Sequence, residues 1–554
     1  MTMQKTPLLM ARLMDRGAWI APREEIVTKT ASGVHRYTYA QERARASQLA
    51  SALADAGIGV GDRVASFLWN GHRHLEMYHA VPSMGAVLHT LNIRLSARDL
   101  EYIINHAGDR VIVVDDDLLP LLEQLDGKMP TVERFVVCSE SGRFETKLPN
   151  AIGYEELIAG RPTDYAWPEL DENAPMGLCY TSGTTGNPKG VMYTNRSTYL
   201  HTMAISMTDV MELSATDTSL AIVPMFHAMS WGLPFAATML GMKQVLPGRF
   251  MDPASLLELL TSESVTISAG VPTIWQGVRA AIVAEPDRWD LSKLRRVTCG
   301  GSAPPVSLIR WYWETLGIEV IQGWGMTETN PLGTMSRRVG KRAQLDAPDE
   351  ELFANQAKAG LLIPGLEIEI VDDDFQPLPH DGQAVGELLI RGPWIAAEYY
   401  HDPQPEKFRD GWLVTGDVAR IDPEQYLIIA DRSKDLIKSG GEWISSVDLE
   451  NHIVGLAGVA QAAVVAQPHP KWDERPVAVV VRAAGAKISK EEILEHCVDC
   501  FAKWQIPDDV LFESEIPLTS TGKIDKKRIR AQLAQRGYKL PDTSAQGRDG
   551  RARG

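Results

Sequence analysis

Cysteine is scarce in this chain: Cys138, Cys179, Cys299, Cys497 and Cys500 are five among 554 residues. So few, so scattered, they exclude a disulfide framework and point to a reducing compartment, read as the cytoplasm. Cys497-x-x-Cys500 has no second Cys or His pair at metal spacing, so it reads as part of a helix. Positive charge is in deficit too. Lys and Arg number 56 against 72 Asp and Glu, a net charge of −16. That excludes nucleic acid or an anionic membrane as the main partner, and any anionic ligand must be held by local basic groups. Met1–Trp19 carries Lys5, Arg12, Asp15 and Arg16 and has no long apolar core, so it does not read as a signal peptide. One uncharged apolar run, Ala221–Leu240, has the length of a membrane span, about 20 residues. Pro224, Gly232 and Pro234 interrupt it and His227 and Ser230 make it polar, so it reads as a buried, pocket-lining segment. There is no internal repeat.

What is present is ordinary globular composition, 44% hydrophobic and 23% charged, in a chain long enough to bury a large core. Strand-like and helical stretches alternate, which predicts an α/β fold with parallel sheets and crossover helices. Expected strands include Arg63–Leu68, Val111–Val114, Arg134–Cys138, Ala221–Val223, Thr266–Ala269, Arg296–Thr298 and Glu319–Gln322. Beyond Gly360 the pattern turns β-rich. From Gly440 a separate βαβ-like block follows: helix Val447–Val454, strands Ala462–Ala466 and Val477–Val481, and helix Glu491–Phe501. The expected division is 1–431, a hinge at 432–438, a small α+β domain at 439–540, and a disordered tail at 541–554.

Four clusters carry chemistry. In Tyr180-Thr-Ser-Gly-Thr-Thr-Gly-Asn-Pro-Lys-Gly190, glycines bring backbone N–H groups close to an anion, hydroxyls add donors, and Lys189 adds a charge. That composition suits phosphate. It is not a Walker loop, since Lys189 is followed by Gly190 and not by Ser or Thr. In Gln322-Gly-Trp-Gly-Met-Thr-Glu-Thr-Asn330, Trp324 between Gly323 and Gly325 offers a flat face for adenine, Thr327 a hydroxyl, and Glu328 a hard oxygen ligand for Mg²⁺. Asp417 follows a turn glycine in Val414-Thr-Gly-Asp-Val418 and can accept two ribose hydroxyls. Pro517-Leu-Thr-Ser-Thr-Gly-Lys523 precedes Asp525, Lys526 and Lys527 and, standing alone, would be a solvated basic turn.

In this order and spacing, and with Asp431-Arg-Ser-Lys-Asp435 between the last two, the clusters resemble the adenylate-forming superfamily of acyl-CoA synthetases, luciferases and peptide-synthetase adenylation domains. The resemblance runs from about residue 10 to 535. It implies a large N-terminal domain of βα subdomains plus a β-rich subdomain, and a small mobile C-terminal domain that rotates about Lys434 between two half-reactions. It implies ATP and coenzyme A as substrates and Mg²⁺ as cofactor. Thr181, Ser182, Gly183, Thr184, Thr185, Gly186 and Lys189 would embrace the phosphates, and Thr181 and Glu328 would hold the metal. Gly301, Ser302, Gly323, Trp324, Gly325 and Thr327 would take the rest of the nucleotide, with Asp417 on the ribose and Arg432 and Lys434 nearby. Lys523 would bridge carboxylate and α-phosphate as the catalytic lysine, beside Glu328 and His227. Lys438, Ser439, Gly440 and Trp443 would face coenzyme A.

The acyl pocket is expected at Pro224-Met-Phe-His-Ala-Met-Ser-Trp231, with His227 and Trp231, against a wall at Gly300 and Gly301 and near Trp324. No acidic residue occurs from Val223 to Leu240, so the aspartate that pairs with an amino substrate in this superfamily is missing and an α-amino acid is not the expected substrate. Trp231, with Phe235 close by, would shorten the cavity and favour a short to medium acid. Leu91-Asn-Ile-Arg-Leu95 and Gly441-Glu-Trp-Ile-Ser445 resemble the bacterial branch holding 3-methylmercaptopropionyl-CoA ligases. Medium- and long-chain acyl-CoA synthesis and carrier loading stay open, as does a homodimer. No membrane span and no nucleic acid are expected, and the expected small-molecule partners are a carboxylic acid, ATP and coenzyme A.

Overall fold

The computed structural model describes residues 2–181, 187–432, 434–439, 442–498, 500–519 and 522–540. The expected disordered tail at 541–554 lies outside them. Two units divide the chain. The first comprises Met1–Ser302, Trp311–Ile368 and Ile390–Val414; the second comprises Ala303–Arg310, Glu369–Leu389 and Thr415–Gly554.

Two large sheets fill the first unit. The seven-stranded one runs Ala151–Gly153, Arg134–Cys138, Asp109–Asp115, Arg63–Phe67, Val87–Thr90, Pro175–Tyr180, Gly190–Thr194. The nine-stranded one runs Leu361–Leu362, Leu332–Ser336, Glu319–Gly325, Arg296–Gly300, Ile267–Gly270, Thr218–Ala221, Lys243–Leu246, Glu25–Thr30, Gly33–Thr38. Their central strands pair in parallel, joined by helices such as Tyr39–Asp55, His72–Ser83 and Ala97–Ala107. The first and third of these helices begin where short polar side chains satisfy free backbone N–H groups. Thr38 and Gln41 form a reciprocal cap on the first, and Ser96 caps the third, which stops at left-handed Gly108.

In each sheet one strand has chain-order neighbours diverging to either side: Arg63–Phe67 in the first, Thr218–Ala221 in the second. Ligands collect beyond the carboxyl ends of such strands. Asn70, just past the first, donates through Nδ2 to Ala221 O (2.7 Å) and Val223 O (2.9 Å), just past the second. The two switch points are thereby stitched together.

In the second unit, Val459–His469 and Asp473–Arg482 form a long antiparallel hairpin. Helix Lys490–Val498 then carries the chain to Asp509–Phe512, which pairs in parallel with Asp473–Arg482. The helices Ser446–Val454 and Lys526–Gln535 cover the sheet, and two apolar clusters centred on Val464, Val480 and Ile493, and on Val465 and Ile529, form its core. Among the described residues no helix is long and apolar enough to cross a membrane.

Two expectations need correcting. Residues 414–418 are not a turn but lie inside the ten-residue strand Trp412–Ile421, whose register slips between Val418 and Ala419. A bulge of this kind re-aims side chains within a strand, and Gly416 takes φ +80° there. The strands Val87–Thr90, Lys243–Leu246 and Asp509–Phe512 were not expected. They are four residues each, too short to show alternation.

Candidate active site

In the first unit, the strands Pro175–Tyr180 and Gly190–Thr194 are an antiparallel pair that presents the Gly/Thr-rich loop between them. Thr181 N donates to Lys189 O (2.9 Å) and Lys189 N to Thr181 Oγ1 (3.2 Å), closing the base of the loop. Ser182, Gly183, Thr184, Thr185 and Gly186 lie outside the described residues. Lys189 reaches Gln404 through its ammonium and sits 5.0 Å from the centre of the Tyr399 ring. The hydroxyl of that tyrosine donates to Glu328 Oε1 (2.6 Å). The expected loop lysine and the expected metal ligand therefore meet through one aromatic ring.

Glu328 is 5% exposed, and its carbonyl accepts from Ala396 N (2.8 Å). Thr327 beside it is held through its carbonyl by the Tyr193 hydroxyl (2.7 Å). Burial, followed by the Glu328 charge, raises the Tyr399 hydroxyl pKa far above its usual range, so it stays a donor. Trp324 is nine-tenths buried, and its ring packs on the backbone at Gly333, where a Cβ would come within 2.6 Å of it. Gly323 pairs with Gly300 across parallel strands.

The segment expected to line the acyl pocket is held differently. Met225 N donates to Asn70 Oδ1 (2.8 Å), the Tyr78 hydroxyl donates to Met225 O, and Ser230 Oγ donates to Val223 O (2.7 Å). Then Ala228, Met229, Ser230 and Trp231 take φ of +42°, +49°, +52° and +55°, and Gly232 takes +78°. Four consecutive residues with side chains in left-handed geometry cost about 1–2 kcal/mol each. Such strain persists only where surroundings over-determine it, and it gathers at functional sites. It puts the Trp231 ring on the Gly300 backbone, where a Cβ would come within 2.9 Å of the indole and 3.2 Å of Gly323 O. Phe235 turns away and packs on Tyr78 in the core, ring centres 5.0 Å apart. His227, half-buried, immediately precedes the left-handed run. Gly301 has φ +84°, a position that favours glycine, and Ser302 after it is exposed.

In the second unit, Asp417 and Arg432 face each other across paired strands, with Arg432 Nε 3.7 Å from Asp417 Oδ1. Asp431, next to Arg432, is 3% exposed and accepts from Ser446 N (2.9 Å). Lys434 is exposed. Lys523 closes a tight turn: Thr519 N donates to Lys523 O (2.7 Å), Lys523 N to Thr519 Oγ1 (3.2 Å), and Gly522 takes φ +83°.

Lys438 lies 5.5 Å above the half-exposed Trp443 ring, and Ser439 accepts from the Arg475 guanidinium (3.0 Å). Gly440 is outside the described residues. The sequence did not single out Trp472 and Trp504, both over 40% exposed. Trp472 is brought here because Ser439 pairs with Asp473, and Trp504 because its carbonyl accepts from Arg475. Tyr399 and Gln404 were missed likewise, since each acts only through a contact more than 70 residues distant.

Residues 17–400 match the model of the AMP-binding enzyme family, and residues 448–523 match the model of the AMP-binding enzyme C-terminal domain. The chain is 47% identical to a long-chain-fatty-acid–CoA ligase of Thermus thermophilus, covering 96% of each chain. It is 43% identical to a 3-methylmercaptopropionyl-CoA ligase of Ruegeria lacuscaerulensis, over 96% of this chain and 98% of the other. Among solved structures it resembles an anthranilate CoA ligase in complex with anthranoyl-AMP, with a TM-score of 0.85 at 26% identity, covering 96% of this chain and all of that one. The chain belongs to the AMP-binding enzyme family and is an AMP-forming acid–CoA ligase.

Proposed function

We propose that the acid is short to medium in chain length, with 3-(methylthio)propionate the first candidate. The observation that carries this is the Trp231 ring lying against Gly300, which would shorten the space beside the expected acyl wall. The Ruegeria relative, a ligase of that acid, supports it.

In the first half-reaction a carboxylate oxygen attacks the α-phosphorus of ATP, the bond to pyrophosphate breaks, and acyl-AMP forms. Two anions meet, so catalysis is mostly positioning and counter-charge. Thr181, Lys189 and the loop between them take the β- and γ-phosphates, and Lys523 neutralises carboxylate and α-phosphate. Asp417 takes the ribose hydroxyls, Arg432 orients Asp417, and Trp324, Gly301 and Ser302 border the nucleoside. Among the described residues no three His, Cys, Asp or Glu gather as a metal cage. A buried single carboxylate at Glu328, with the Thr181 hydroxyl, suits Mg²⁺, which prefers one or two protein oxygens plus phosphates. When bound, that ion would offset phosphate charge.

In the second half-reaction the coenzyme A sulfur attacks the acyl carbonyl, AMP leaves, and the thiol proton passes to solvent. Lys438, Ser439, Gly440 and Trp443, with Trp472 and Trp504, offer a cation and indole faces to a ligand that carries phosphates and adenine, and buried Arg475 braces Ser439 and the Trp504 carbonyl from behind. His227 borders the acyl group.

A second reading, a medium- or long-chain acid, is favoured by the 47% identity to the Thermus ligase. Pyrophosphate release measured over C2–C12 acids, 3-(methylthio)propionate and amino acids, with and without coenzyme A, separates the readings. The proposal expects the highest kcat/KM between C3 and C8 or with the thioether acid. An optimum at C10 or above overturns it, and acid-dependent pyrophosphate release with no coenzyme A-dependent AMP release would favour carrier loading.

A further inference from the structure

A buried Asp–His pair and a second histidine flank the residue that leads into the phosphate loop, and the reaction above uses none of them. Tyr180 ends the strand Pro175–Tyr180, one residue before the base of the loop closes at Thr181 and Lys189. In the neighbouring parallel strand His89 stands opposite Leu178, so Tyr180, two residues on, shares its face. The two rings pack 5.0 Å apart. His89 and Asp109 are both fully buried, with Nδ1 2.8 Å from the carboxylate, which fixes the ring that backs Tyr180.

On the other side His106, in the last turn of helix Ala97–Ala107, places Nδ1 2.7 Å from the Tyr180 hydroxyl. Tyr102 stacks on His106 at 5.2 Å and Tyr400 meets it edge-on at 5.7 Å, so the imidazole has little freedom to turn. Burial, then the neighbouring charge of His401, lowers the His106 pKa, while burial raises that of the tyrosine. At neutral pH the tyrosine O–H therefore donates and the neutral imidazole accepts.

The Tyr180 ring does more than end a strand. It lies against Gly190, the other stem of the loop, where a Cβ would come within 3.1 Å both of the ring and of Tyr400 Cβ. Tyr400 N in turn donates to Gly190 O (2.8 Å). The backbone ladder pairs Tyr180 with Gly190, and the ring covers that glycine, so its orientation bears on the stems that carry Thr181 and Lys189.

We propose that His106 is a positioning residue for the ATP phosphates, acting through the Tyr180 hydroxyl to hold the ring that packs over Gly190 on the second stem of the loop. This rests on the reading that the loop takes those phosphates.

The test is acid-dependent exchange of pyrophosphate into ATP, with ATP and acid varied in turn, for wild type, Tyr180→Phe, His106→Ala, His106→Asn and the Tyr180→Phe/His106→Ala double variant. Loss of one such hydrogen bond should raise KM for ATP about five- to tenfold in either single variant. KM for the acid and kcat should stay within about twofold, and the double variant should be no worse than the singles, because both remove one interaction. Asparagine puts an acceptor near the place of Nδ1, so His106→Asn should restore most of the ATP affinity. An unchanged KM for ATP in Tyr180→Phe, equal rises for ATP and acid, or additive effects would overturn the inference. Tyr180→Phe removes only the hydroxyl and decides the matter if His106→Ala unfolds. Absence of exchange in the wild type would instead sink the reading of the loop itself.

Discussion

The proposed phosphate end and the proposed acyl segment of the first unit are built by opposite means. At the phosphate end, side chains reach backbone and one another: Thr181 with Lys189, Lys189 with Gln404 and Tyr399, Tyr399 with Glu328. In the acyl segment the ring of Trp231 rests on bare backbone at Gly300, delivered by four strained residues and a glycine. The first arrangement depends on which functional groups are present, so it can be shared by every member that performs the same chemistry. The second depends on shape, so a single side chain can change what fits. On this view the reaction belongs to the phosphate end and the choice of acid to the acyl segment.

Ways to break that division follow in order of expected effect. Lys523→Ala should lower the adenylation rate by about 10²–10³, the usual loss when one group that stabilises transition-state charge is removed. Conversion of preformed acyl-AMP to acyl-CoA should stay within about tenfold of wild type. Single-turnover assays of each half-reaction check this, and near-normal adenylation would contradict the role given to Lys523.

Glu328→Gln keeps an acceptor for the Tyr399 hydroxyl but loses the charge. It should cut kcat/KM about 10²-fold and raise the Mg²⁺ concentration needed for half-maximal rate. A metal titration reads both effects. Acid preference should not move in either variant.

A smaller effect tests the frame behind both regions. His79, fully buried, contacts Glu42 (3.1 Å) and Asp15 (3.1 Å), tying helix Met10–Ile20 to the helices at 39–55 and 72–83. Burial alone would lower its pKa, but the two carboxylates outweigh it and hold it at about 9. The unfolded value is about 6.5. A raised folded pKa gives stability that is complete below pH 6.5 and is lost as pH rises through 9. The melting temperature should therefore fall between pH 7 and 10 by several degrees more in the wild type than in His79→Gln, as scanning calorimetry would record.

The sequence made the phosphate end legible because its residue types announce their chemistry: glycines, hydroxyls and a lysine in ten positions, then an acidic residue after Trp324. Pairing of Asp417 with Arg432 was legible as residues but not as geometry, since the bulged strand at Val418 looks like a turn when only Thr-Gly-Asp is read. Tyr399, Gln404, Trp472 and Trp504 carried no local signal. Each becomes relevant only when the fold closes distances of many residues, as an aromatic residue in a loop otherwise reads as ordinary core. The left-handed run at Ala228–Gly232 was hidden because only Gly232 among its residues favours that geometry by type. The apolar content of Ala221–Leu240 did foretell burial, and its prolines and glycine foretold that it would not be one long helix.

The division of labour itself is tested most directly by one comparison: kcat/KM for C3–C12 acids and 3-(methylthio)propionate in wild type and Trp231→Ala, with KM for ATP measured alongside. Removing the indole should reorder the acids, raising C8–C12 relative to C3–C4 by about tenfold or more for the one or two methylenes newly accommodated. KM for ATP should remain within about twofold. A uniform fall across all acids, or a rise in KM for ATP with the acid order unchanged, would contradict the claim that the acyl segment chooses the acid while the phosphate end runs the reaction.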